Sequence, residues 1–150
     1  MNRITFTKEG FEKAEKDLEK MYVDRVDALF HLKKSREMGD LSENGYYKAS
    51  RMKLTFLDRQ IRDLKYKIKL ALIIQPVGNE IVGIGNSVVL AEGKKEYSYK
   101  IVGDTEANPG EGKISLNSPL GHALNNKKIG DKIELVLPGK TIRYKLLKIT

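Results

Sequence analysis

Residues 35–45 read Ser35-Arg36-Glu37-Met38-Gly39-Asp40-Leu41-Ser42-Glu43-Asn44-Gly45, and the pattern on either side of them decides the fold. Upstream, Phe11, Ala14, Leu18, Met21, Arg25, Ala28, Leu32 and Ser35 recur at strict three- and four-residue spacing. Downstream, Tyr47, Ser50, Leu54, Leu57, Ile61, Leu64, Ile68 and Ala71 do the same. Stripes of this kind gather on one helix face and mark the seam of a coiled coil. The positions between them are dense in Lys, Arg, Asp and Glu, and neither segment contains proline. The connection is short, so the two helices must be antiparallel neighbours. Each arm has about 28 residues, or ~40 Å at a rise of about 1.5 Å per residue. Thr7 is placed to cap the first helix and Gly39 to end it. Asp40 or Ser42 is placed to cap the second.

The hydrophobic period changes near residue 75. From Gln75-Pro76-Val77-Gly78 onward the signals are strands and turns. Val88-Val89-Leu90 reads as a short apolar strand. Tyr97, Tyr99 and Ile101 alternate with Ser98 and Lys100. Ile133, Leu135 and Leu137 alternate in the same way up to Pro138-Gly139, and Ile142, Tyr144 and Leu146 follow it. Alternating runs separated by Gly and Pro predict an antiparallel sheet. Ser118-Pro119 predicts the start of one short helix, with Ser at the cap and Pro at the first helical position. The expected class is α+β. Residues 1–75 form a helical hairpin with an acidic tip, and residues 76–150 form a sheet domain.

Charged residues are 32 % of the 150, above the roughly 25 % of an average domain. That excess suits a two-helix element with much surface for its volume. The net charge is +8, with 17 Lys+Arg against 12 Asp+Glu in residues 1–75 and 11 against 8 in residues 76–150. A basic excess spread over both halves fits a nucleic acid or a large anionic complex as partner, and equally fits plain solubility. There is no cysteine, which removes disulfides and thiolate metal sites and agrees with a cytoplasmic chain. No apolar run approaches the roughly 20 residues of a membrane span, so no membrane partner is expected.

Asp40 and Glu43 stand three apart, and spacing leaves two readings open. They form a capping box, in which Asp40 takes a backbone N–H and Glu43 reaches back. Alternatively they converge on a hard cation such as magnesium, which wants about six oxygens, so that a partner must complete the set. Arg36, Lys48, Arg51, Lys53, Arg59 and Arg62 flank the tip and would steer a phosphate backbone toward it. The same residues also describe an ordinary solvated face. Tyr46 or Tyr47 is able to stack on a base, the other belonging to the seam. His31 and His122 fall in different halves with no cysteine to join them, which argues against zinc.

These strings resemble the Gre family of bacterial transcription elongation (transcript cleavage) factors, on its GreA-like side. The resemblance rests on Thr7-Lys8-Glu9-Gly10-Phe11, on Gly39-Asp40-Leu41-Ser42-Glu43-Asn44, on Leu57-Asp58-Arg59-Gln60-Ile61 and on Ser118-Pro119-Leu120-Gly121. It implies that the coiled coil enters the secondary channel of bacterial RNA polymerase. It implies that Asp40 and Glu43 help hold a magnesium ion shared with the polymerase and position the attacking water. The polymerase, not this chain, would then cut the 3′ end of backtracked nascent RNA. It implies that Arg36 and Arg51 lie along the RNA. It implies that the second domain is FKBP-like and docks on the polymerase through Ser118, Pro119 and Leu120. No cofactor of its own and a monomeric state are expected. The family pattern continues Asn-Ala-Glu-Tyr after the tip, whereas this chain has Asn44-Gly45-Tyr46-Tyr47. That departure keeps open a channel-binding regulator or inhibitor without cleavage activity. The FKBP-like fold also suggests a prolyl isomerase, against which stands the short supply of aromatics: Tyr97, Tyr99 and Tyr144.

Overall fold

A computed structural model describes residues 2–40 and 43–150; the expected roles of Leu41 and Ser42 lie outside the described residues. The chain forms two compact units, Glu12–Leu70 and Met1–Phe11 with Ala71–Thr150. The expected division at residue 75 assigned the first eleven residues to the hairpin. In these units they group with the C-terminal part: β1 (Ile4–Phe6) pairs in parallel with β2 (Ala71–Ile73) in a two-stranded sheet of their own, and Thr7 next to β1 hydrogen-bonds Glu106.

The hairpin consists of α1 (Lys8–Arg36) and α2 (Gly45–Lys69). Its seam is the one the spacing marks. Ala14, Ala28, Leu32 and Ser35 of α1 are buried, as are Ser50, Leu57 and Ile61 of α2, and Leu18, Met21, Leu54 and Leu64 are half-buried. Two polar seam residues have local partners. Arg25 Nε donates to Asp58 Oδ1 at 2.5 Å across the helices. The Ser35 hydroxyl, fully buried, donates to the Leu32 carbonyl at 2.7 Å.

In the other unit, β3 (Ser87–Glu92), β4 (Lys95–Val102), β5 (Lys113–Ser115), β6 (Lys132–Leu137) and β7 (Lys140–Ile149) form one sheet in the order β5-β4-β3-β7-β6. The β3–β4, β3–β7 and β6–β7 pairs are antiparallel, as the alternation predicts. The β4–β5 pair is parallel, which the expected antiparallel sheet did not include. The inward faces of these strands bury Val88, Leu90, Ile101, Ile114, Ile133, Leu135, Tyr144 and Leu146 together with Leu124 of α3 (Pro119–Leu124).

The first turn of α1 is fastened within this unit. Thr7 is the cap, its hydroxyl accepting from the Gly10 N–H at 3.0 Å. The same hydroxyl donates to Glu106 Oε1 at 2.5 Å, and the Thr7 N–H donates to Glu106 Oε2 at 2.8 Å. Glu106 so occupies the positive end of the helix that a Cβ on Gly10 would lie only 1.8 Å from its carboxylate.

Candidate functional site

The tip begins where α1 runs out. Lys33, Lys34 and Arg36 in its last turn complement the unpaired carbonyls at that end. The helix closes through bonds from the Glu37 N–H to the Lys34 carbonyl, 3.2 Å, and from the Met38 N–H to the Ser35 carbonyl, 3.3 Å. Gly39 then takes φ +119°, a conformation that side chains resist, and turns the chain.

Asp40 and Glu43 are exposed in this connection, ahead of α2 rather than inside its first turn. The cap of α2 is neither Asp40 nor a capping box with Glu43; it is Asn44. Its Oδ1 accepts from the Tyr47 N–H at 3.1 Å, while its Nδ2 donates to the Ser35 carbonyl at 2.8 Å. The Asp40 carboxylate has no donor to offer, whereas the Asn44 amide carries an acceptor for one helix and a donor for the other.

Two more contacts follow directly. His31 Nδ1 and the Tyr46 hydroxyl lie 2.6 Å apart. The Arg36 guanidinium sits over the Tyr47 ring, 5.9 Å from its centroid. Neither tyrosine is a bare stacking platform, since both are engaged with α1. Lys48, Arg51, Lys53, Arg59 and Arg62 are exposed along α2. Lys48, Arg51 and Arg59 share one open stretch of the α2 surface with Met52 and Phe56, both largely exposed. Lys53 reaches back to Asp27 at 3.8 Å.

Asp40 and Glu43 supply hard oxygen donors in the open, which suits magnesium. Among the described residues no group of three or more His, Cys, Asp or Glu side chains is placed to hold a metal ion. Two carboxylates fall short of the roughly six oxygens magnesium requires, so the residues present fit a part of a site rather than a whole one.

In the second unit, Ser118, Pro119 and Leu120 open α3. The Ser118 hydroxyl accepts from the Gly121 N–H at 3.1 Å and donates to the Ser115 carbonyl at 2.7 Å, so it is consumed by the fold. Pro119 is exposed and Leu120 packs half-buried against the core. Tyr97 and Tyr144 meet edge to face at 6.1 Å; Tyr144 is buried in the core, and Tyr97 and Tyr99 pack half-buried against it. Burial pushes the Tyr144 phenol above its ordinary range.

Family models cover nearly the whole chain: transcription elongation factor, N-terminal, over residues 4–73, and transcription elongation factor GreA/GreB, C-terminal, over residues 77–150. The chain belongs to the GreA/GreB family of transcription elongation factors. It is 42 % identical over 149 residues to transcription elongation factor GreA of Macrococcus caseolyticus, covering 96 % of this chain and 94 % of that protein. It is 38 % identical over 148 residues to the GreA of Staphylococcus aureus, covering 95 % and 94 %. The crystal structure of GreA factor homolog 1 (Gfh1) of Thermus thermophilus aligns over 99 % of each chain with 25 % identity and a TM-score of 0.48. Within this GreA/GreB chain, the sequence pointed to the two acids and the flanking cations. It did not point to Asn44, His31 or Glu106 in the roles they take. Asn44 carried a usable signal, since asparagine followed by the first turn of a helix is among the strongest caps.

Proposed function

We propose that this factor enters the secondary channel of bacterial RNA polymerase and stimulates cleavage of the 3′ end of backtracked nascent RNA, rescuing arrested complexes. The observation that carries the proposal is the exposed Asp40 and Glu43 pair, set at the end of a two-helix hairpin whose second helix is capped by Asn44. Catalysis belongs to the assembly: the tip brings acidic oxygens and the polymerase brings the rest of the site. Magnesium, when shared between the two, supplies Lewis-acid polarisation of the scissile phosphate and a water of lowered pKa. The Asp40 and Glu43 carboxylates would be its ligands from this side, and they also accept a hydrogen bond from the attacking water. Arg36 and Arg51 offset phosphate charge along the extruded RNA. Ser118, Pro119 and Leu120 form the docking element, with Pro119 and Leu120 offering the surface and Ser118 holding its shape. The factor works as a cytoplasmic monomer and has no nuclease activity alone.

A stalled, backtracked complex assayed with and without the protein tests this. Asp40→Ala and Glu43→Ala are each expected to remove RNA shortening while leaving binding to polymerase nearly intact. Normal cleavage by both variants would refute the metal role. A second reading, a channel regulator or inhibitor without cleavage, is favoured by one observation: the first turn of α2 contains no acidic residue. Slower elongation with full-length RNA in the same assay would select it.

A further inference from the structure

We infer that Tyr46 and His31 are positioning residues for the acidic tip: their hydrogen bond ties the first turn of α2 to α1 and thereby fixes where Glu43 is presented. The inference rests on the cleavage reading above for its functional half and on contacts within the hairpin for its structural half.

The first turn of α2 is intrinsically weak. It opens on Gly45, and glycine costs a helix about 1 kcal/mol relative to alanine. Its first turn also carries no acidic side chain to complement the helix dipole. Something else must hold it, and Tyr46 is placed to do so. Its hydroxyl is 2.6 Å from His31 Nδ1, and the two rings meet edge to face with centroids 6.1 Å apart. On α1, Phe30 packs edge-on against the same imidazole at 5.6 Å. His31 Nε2 faces Asp27 Oδ1 at 3.6 Å, and Asp27 in turn faces Lys53 of α2 at 3.8 Å. An imidazole carrying its proton on Nε2 points it at Asp27 and leaves Nδ1 to accept from the phenol. Tyr46, His31, Asp27 and Lys53 thus make a chain that crosses from α2 to α1 and back.

Neighbouring contacts show that the link is not isolated. Asn44 is bonded to Ser35, Tyr46 to His31, and Tyr47 lies under Arg36. These three side chains follow Glu43 at one, three and four residues, and each reaches the last two turns of α1. Glu43 therefore stands immediately before a segment gripped at successive points.

The test uses Tyr46→Phe, which keeps the ring and removes the hydroxyl, with His31→Gln and His31→Leu as partners. In the isolated protein, amide exchange at Tyr47 and Lys48, whose N–H groups bond Asn44, is expected to quicken about three- to tenfold in Tyr46→Phe and His31→Leu, the range for one lost hydrogen bond. Gln at position 31 offers an acceptor and should restore part of the protection. In the cleavage assay, Tyr46→Phe should lower the maximal rate a few-fold while the half-saturating factor concentration stays unchanged. Native exchange rates in Tyr46→Phe would overturn the tether, and so would a higher half-saturating concentration with the maximal rate intact. Loss of the cleavage reading shows itself separately, as normal RNA shortening by Asp40→Ala, and leaves the exchange experiment decisive.

Discussion

Replacing Asn44 with alanine removes two bonds made by one side chain. The Tyr47 N–H loses its cap acceptor at 3.1 Å, and the Ser35 carbonyl loses a donor at 2.8 Å. A lost cap costs about 1 kcal/mol, and a neutral hydrogen bond contributes about 1 kcal/mol more. The Ser35 carbonyl keeps its bond from the Met38 N–H at 3.3 Å, and the space vacated by the half-buried Asn44 side chain admits water, so part of the second amount is recovered. The net is roughly 1.4 kcal/mol, which is about tenfold in the local opening constant. The penalty falls on the tip, because helix ends open locally without unfolding the seam. Hydrogen exchange resolved by residue is the assay. The Tyr47 and Lys48 amides, which bond Asn44, should exchange about tenfold faster in Asn44→Ala, while Leu57 and Ile61 in the buried seam stay protected and the melting temperature barely moves. Asn44→Asp keeps the cap acceptor and loses the donor to Ser35, so it should fall between the two. Unchanged exchange at Tyr47 and Lys48 in Asn44→Ala would show that this side chain does not hold the first turn of α2.

Two further outcomes are expected in the other unit. Gly121→Ala places a Cβ 1.8 Å from the Ser115 carbonyl oxygen, so α3 must shift off its strand; a loss of about 2–3 kcal/mol in denaturant unfolding is expected, and a native midpoint would show that α3 moves freely. The Glu9 carboxyl is held below the ordinary carboxylate range, first by its hydrogen bond from Lys100 and then by the charge of Lys100. A depressed pKa stabilises the fold above the unfolded carboxylate value of about 4.3, and that contribution is lost as pH falls through the folded value. Glu9 is largely exposed, so Glu9→Gln should cost under about 1 kcal/mol at pH 7, with the gap closing on acidification and shrinking in salt. A gap independent of pH would remove the ion pair from the account.

The seam was legible because its period is long and repeated: every residue on the two stripes is buried or half-buried, including Arg25 and Ser35, which are polar. Those two fit because each has a partner close at hand, Asp58 and the Leu32 carbonyl. What stayed hidden was non-local or degenerate. β1 is three residues long, and its partner β2 begins at Ala71, so no local pattern reveals the pairing. The parallel β4–β5 pair involves another three-residue strand and is invisible for the same reason. The cap was degenerate: Asp40, Ser42 and Asn44 are all good caps within five residues, and the Asp-to-Glu spacing favoured the wrong one. Asn44 joins an acceptor for Tyr47 to a donor for Ser35, and the use of that pairing appears only once both helices are in place.

The same comparison explains why polar contacts gather at the tip. Along the seam, large side chains such as Leu57 and Ile61 are buried, each contributing on the order of 2 kcal/mol through burial alone. Toward the turn the buried seam positions shrink to Ser35 and Ser50, and Leu32 is the last large apolar residue of α1 that is buried. Small residues let the helices approach but bury little apolar area. Hydrogen bonds worth about 1 kcal/mol each must then hold the end of the hairpin: Asn44 to Ser35 and Tyr46 to His31, with Arg36 on Tyr47 beside them. Among the described residues, the first turn of α2, just after Glu43, is therefore the part of the hairpin with little stability to spare. Each tether is comparable in size to the margin it protects. Substitutions at Asn44, Tyr46 or His31 should consequently alter how the acids are presented well before they alter whether the protein folds, whereas substitutions at Leu57 or Ile61 should do the reverse.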